Sequence, residues 1–134
     1  MKTIVCIDDK FGVLFDGKRQ SRDRVLIEDL MDFIGSSRLI ISPFSAALFD
    51  VFKVEINDAP FDVAQADDFV FCESGGLLAH LERINEVVIY KWNRTYPRDV
   101  LLDLLPWEHG FKLIDRFDFV GSSHKKITRE VYRQ

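Results

Sequence analysis

Apolar positions fall in short, separated blocks whose period changes along the chain. Residues 3–7 are a nearly continuous apolar run closed by Asp8 and Asp9, the pattern of a strand covered on both faces. A loop with Gly12 and Gly17 follows. Ser21 then offers an N-cap, and Leu26, Ile27, Leu30, Met31 and Ile34 recur at helical spacing until Gly35. Residues 38–41 predict a second strand, and Ser42-Pro43 opens a short helix through Phe44, Ala47 and Leu48. Residues 51–56 alternate as a strand ended by Asn57, Asp58 and Pro60. A buried strand at 69–72 runs into Ser74-Gly75-Gly76 and a helix with Leu77, Leu78, Leu81 and Ile84 on one face. Residues 87–90 return as a strand before the polar segment 91–97. Residues 111–120 and 126–132 alternate around Gly121-Ser122-Ser123, which predicts an antiparallel hairpin.

Helices alternate with buried strands first, and a hairpin comes last. The expected architecture is α/β with three layers: a mixed, mostly parallel sheet, helices on its faces and a C-terminal antiparallel hairpin. The 134 residues suit one domain spanning 1–134, and the apolar share of 47% with twelve Phe can fill its core. A net charge of -4 argues against general nucleic-acid binding. No apolar run has membrane-spanning length, and the N-terminal stretch lacks a signal-peptide pattern, so a cytoplasmic protein is expected. Cys6 and Cys72 lie in apolar runs without metal-ligand spacing, which predicts two reduced, buried thiols and no metal site.

Several positions carry candidate chemistry. Gly75 and Gly76, with Ser74, would let a phosphate approach bare backbone at a helix start; the alternative is a tight turn. Lys18, Arg19, Arg22 and Arg24 crowd a loop and a helix N-terminus, where cations oppose the dipole. An anionic ligand held by Arg19 and Arg22 would explain them, and so would a solvated surface. Asp9, beside Asp8, follows a buried strand, where open α/β sheets place ligands. Trp92 and Arg94 lie in an aromatic, hydrogen-bonding segment that could stack on a flat ring or a partner, or pack as a loop. Ser122-Ser123-His124 reads as a hairpin turn, since adjacent residues rarely face each other as nucleophile and base.

The element order, the glycine loop after the first strand, the Gly75-Gly76 pair and the closing hairpin with Ser123-His124 resemble dihydrofolate reductase, in a shortened and divergent form. The resemblance implies that Asp23, at the place of the family's proton-relay acid, is the catalytic residue, and that Ser74, Gly75 and Gly76 face the pyrophosphate of NADPH. Arg22 and Arg24 would hold Asp23 ionised, against that role, and an Asp in a first helical turn has a structural reason to be there. The chain departs from the family in a shorter middle segment, in Ser42-Pro43-Phe44-Ser45 where a basic phosphate-binding turn is expected, and in lacking a tryptophan before the acid.

Three functions follow. The first is a small-molecule-binding domain of dihydrofolate reductase type, taking a nucleotide or other flat anion and, if an enzyme, reducing its substrate with NAD(P)H. The second is a non-catalytic interaction or assembly protein, with a homodimer through the Trp92 segment. The third is a phosphate-ester or nucleic-acid enzyme using Asp8, Asp9 and the basic run.

Overall fold

The run near the N-terminus forms the middle of a seven-stranded sheet. The computed structural model describes residues 1–134. Its strands are β1 (Lys2–Ile7), β2 (Gly12–Phe15), β3 (Lys18–Arg19), β4 (Leu39–Ile41), β5 (Glu55–Ile56), β6 (Phe69–Phe71), β7 (Glu86–Lys91), β8 (Val100–Leu101), β9 (Lys112–Phe119) and β10 (Ile127–Arg133). The helices are α1 (Arg24–Ile34) and the single turn α2 (Pro60–Val63), with 3₁₀ segments at Pro43–Phe49, Leu78–Arg83 and Pro106–His109. The large sheet runs β5-β4-β6-β1-β7-β10-β9, parallel from β5 to β7, with β10 antiparallel to both β7 and β9. The predicted mixed sheet with a closing hairpin is therefore present.

Alternation along β1 divides the core. Ile4 joins Leu26 and Leu30 of α1, Phe71 and Tyr90 on one face. Val5 and Ile7 join Val70, Val87 and Ile89 on the other, covered by Leu77, Leu102, Leu104 and Phe111. Burying a Leu, Ile or Val side chain contributes about 1.5–3 kcal/mol, so two such clusters hold the strand ends in fixed register.

Four expectations change. The N-cap is Asp23, not Ser21, because its carboxylate accepts from the Val25 and Leu26 amides. The strand expected over 51–56 shrinks to Glu55–Ile56, which pair with Ile40 and Ile41, since in that parallel register residues 51–53 fall opposite 36–38, before β4 begins; Val51 is largely exposed. The segment after Gly76 is 3₁₀, closed by i→i+3 bonds such as His80 N–H to Leu77 O. The loop after β1 is ordered: β2 and β3 form a hairpin that pairs with β8 in a second, three-stranded sheet.

Candidate functional site

Two hollows open at the C-terminal ends of β4 and β6, the usual ligand side of an open α/β sheet. The larger, about 550 Å³, lies between Ser42 and Phe44 after β4, residues 58–62, and Phe71 to Ser74 leaving β6. Leu14, Phe44, Phe61 and Phe71 give it apolar walls. The His80 ring lies flat on Phe61, centroids 4.1 Å apart and 8° from parallel. Its polar groups are Ser42, Ser74, Glu73, Asp58 and Asp62, with no Lys or Arg in the lining. The cleft therefore offers ring faces and hydrogen-bond acceptors.

Glu73 separates this cleft from a crevice of about 30 Å³ lined by Cys6, Arg19, Ser21, Arg22, Asp23 and Trp92, among others. Arg19 grips Glu73 with two bonds, Nε to Oε2 at 2.9 Å and Nη2 to Oε1 at 3.1 Å, and donates to the Phe44 carbonyl. The guanidinium also covers the Phe44 ring at 4.8 Å, and Ser45 Oγ donates to Glu73. Arg19 is a strut between hairpin and sheet, and its fork is spent on Glu73. Arg22 is exposed and makes no ion pair.

Asp23 has no exposed side-chain surface. Oδ1 accepts from the amides of Val25, Leu26 and Ser122; Oδ2 accepts from the Ser123 amide at 2.8 Å and from His124 Nδ1 at 2.8 Å. Burial pushes this carboxyl's pKa up, but the bonds from His124, Ser123, Ser122 and Leu26 outweigh it and hold it well below the usual carboxylate range. An ionised acceptor with its lone pairs occupied has no proton to relay. Gly121 is required by the same knot, since a Cβ there would fall on the Asp23 carboxylate.

Gly75 and Gly76 line neither hollow. Gly75 has φ +76°, and a Cβ there would meet Val13 Cγ2 at 2.9 Å and the Leu101 carbonyl at 3.0 Å. Its bareness serves packing against the second sheet. The amides of Leu77 and Leu78, which would face a phosphate, donate to Asp103 Oδ1 at 2.8 and 3.0 Å. Ser74 alone of that trio reaches the cleft.

Asp9, Trp92 and Arg94 do come together, lining a separate hollow with Asn93, Ser123, Lys125 and Lys126. Trp92 is buried there, stacked on His124 at 4.6 Å, so it offers no ring to a partner. Asp8 turns inward, its carboxylate accepting from the amides of Lys10, Gly12 and Tyr96 and from Gln20. Asp8 and Asp9 thus diverge and do not form a shared acidic site.

No protein-family model matches the sequence, and no curated protein matches it. Among solved structures, a dihydrofolate reductase from Enterococcus faecalis, complexed with NADP(H) and RAB-propyl, superposes with a TM-score of 0.70 at 9% identity. The match covers 98% of this chain and 94% of the other. The fold is that of dihydrofolate reductase. On this dihydrofolate reductase-like scaffold the start of α1, the turn after β6 and the closing hairpin stand in the expected order, but the start of α1 and the hairpin bond to each other, and the turn after β6 bonds to Asp103. The sequence reading missed Phe44, Phe61, His80 and Asp103. Nothing in local spacing pairs Leu77 with Asp103, because that contact forms only when the second face of the sheet closes.

Proposed function

We propose that the protein is a small-molecule-binding domain that holds a flat, uncharged or amino-bearing heterocycle of nucleoside type in the 550 Å³ cleft. The observation that carries this reading is the wall chemistry: aromatic faces from Phe44 and the Phe61–His80 stack, acceptors from Asp58, Asp62 and Ser74, and no Lys or Arg. The NADP(H) of the dihydrofolate reductase neighbour fits these residues poorly. Its phosphates would meet carboxylates, the helix-start amides belong to Asp103, and Arg19 belongs to Glu73. Hydride transfer to a substrate protonated by Asp23 is accordingly not part of the proposal. Free thiols at Cys6 and Cys72 suit work in the reducing cytoplasm. Isothermal titration with adenosine and with NADPH tests the reading. Adenosine should bind, Phe44→Ala should weaken it at least tenfold, and NADPH should bind no tighter. No heat from adenosine at millimolar concentration removes it.

A second reading, an interaction protein, is favoured by β9. This eight-residue edge strand is exposed along almost its whole length, with Leu113, Ile114 and Phe117 each close to half exposed. An edge of that kind can pair with a second copy. If it does, sedimentation should find a dimer that Phe117→Lys converts to monomer, whereas Trp92→Ala would act only through folding.

A further inference from the structure

We propose that Ser21, His124 and Asp23 form a nucleophilic triad that accepts a small acyl group from an ester. Ser21 Oγ lies 3.0 Å from His124 Nε2, and His124 Nδ1 lies 2.8 Å from Asp23 Oδ2. These three side chains come from the approach to α1 and from the β9–β10 turn, 103 positions apart for Ser21 and His124. The ionised Asp23 accepts from Nδ1–H, which leaves the Nε2 lone pair facing the serine, the tautomer a general base needs. The imidazole cannot swing away: Trp92 stacks on one face, and its side chain is 2% exposed. Tyr96 Oη, 2.9 Å from Nε2 and 3.3 Å from Ser21 Oγ, supplies a further donor beside the nucleophile. Ser21 itself is half-buried and lines the crevice.

In the reaction, Ser21 Oγ bonds to the acyl carbon as its proton passes to His124 Nε2. The carbon–oxygen bond to the leaving alcohol then breaks, and His124 returns the proton to that oxygen. Water repeats the sequence on the acyl-serine and releases the acid. The crevice, about 30 Å³, admits an acyl group of roughly acetyl size. Arg22, which lines it without an ion pair, favours an ester whose alcohol part carries an anion. Asp23 is a positioning residue here: of the reacting side chains it touches His124 and not Ser21. The site adjoins the cleft but does not depend on what binds there.

The test uses the full chain with 4-nitrophenyl acetate and 4-acetoxybenzoate as esters, the acid-quenched protein being read by peptide mass. A single acetyl adduct should form on Ser21, with the phenol leaving and the serine proton passing through His124 to its oxygen. Ser21→Ala, folded by circular dichroism, should lose the adduct and the ester turnover. His124→Gln should slow both about 100-fold or more, and Arg22→Gln should raise KM for 4-acetoxybenzoate only. Nitrogen-15 NMR of the unaltered protein should show His124 protonated at Nδ1 and bare at Nε2. No adduct on Ser21, turnover that survives Ser21→Ala, or a proton resident on Nε2 overturns the proposal.

Discussion

Replacing Asp23 with alanine removes one carboxylate that serves four backbone amides and an imidazole. The amides of Val25 and Leu26 belong to the first turn of α1; those of Ser122 and Ser123 belong to the β9–β10 turn. Loss of a helix cap alone costs about 1 kcal/mol. Each buried donor left without a partner costs about 1–3 kcal/mol more, and the His124 contact has no water route, since both side chains are sealed. Breaking one partner out of a buried ionic contact typically costs about 3–5 kcal/mol. Some orphaned amides will regain water as the turn loosens, so the expected loss is about 4 kcal/mol. Unfolding entropy for a chain of this length is about 0.28 kcal/mol per degree, which converts the loss to a fall in Tm of about 14 °C. Urea unfolding and a thermal melt followed by circular dichroism would measure both quantities, with Asp9→Ala, an exposed neighbour of the strand end, as the control expected within about 0.5 kcal/mol. A loss near 1 kcal/mol would refute the reasoning, because it would mean that Asp23 caps α1 and does nothing for the turn.

Acid should reveal the same groups. Burial raises the Asp8 and Asp23 carboxyls, but their hydrogen bonds lower both in balance. Asp68 is lowered chiefly by its bond from Arg38. In each case the unfolded chain takes up protons first as pH falls, so Tm should hold level above about pH 5 and decline below about pH 4; a Tm unchanged to pH 2 would contradict these shifts. Gly75→Ala should cost about 2 kcal/mol, from a left-handed φ and contacts with Val13 and the Leu101 carbonyl, while Gly76→Ala should stay within about 0.5 kcal/mol. Equal effects in urea unfolding would deny that packing explains Gly75. Burial, followed by the nearby Glu73 charge, pushes the Cys6 thiol far above its ordinary range, so Ellman's reagent at pH 8 should leave Cys6 unmodified in the native protein and modify it in urea.

Much of the scaffold is legible in the chain because burial on two faces leaves a simple signature. The runs that became β1, β6 and β7 are apolar at almost every position, and the last two strands alternate as a hairpin should. The misplaced elements share another cause: their extent is set by a partner. Residues 51–54 alternate well, yet β4 is too short to pair with them. Residues 12–19 read as a glycine loop because the strand that orders them, β8, lies more than eighty residues away. At the candidate site the sequence named several residues that line the two hollows, such as Ser74, Arg19, Arg22 and Asp23, and misjudged their bonding. Arg19 looked like a free cation because Glu73 is distant in sequence; Asp23 looked like an acid because five of its seven donor groups come from the far hairpin. Ser122-Ser123-His124 was rightly read as a turn, but the hydroxyl that meets His124 Nε2 belongs to Ser21. Long-range pairing converts exposed-looking charge into internal struts, and no local pattern marks it.

Amide NMR shifts during parallel titrations with adenosine and NADPH would test the central claim most directly, since they report both affinity and place. The account predicts that adenosine shifts Phe44, Phe61, Ser74 and His80, and that NADPH binds no tighter, with little movement at Gly75, Gly76, Leu77 or Leu78 from either molecule. NADPH binding far tighter than adenosine, with large shifts at Gly76, Leu77 and Leu78, would contradict it by showing that the phosphates displace Asp103 and use the turn after β6.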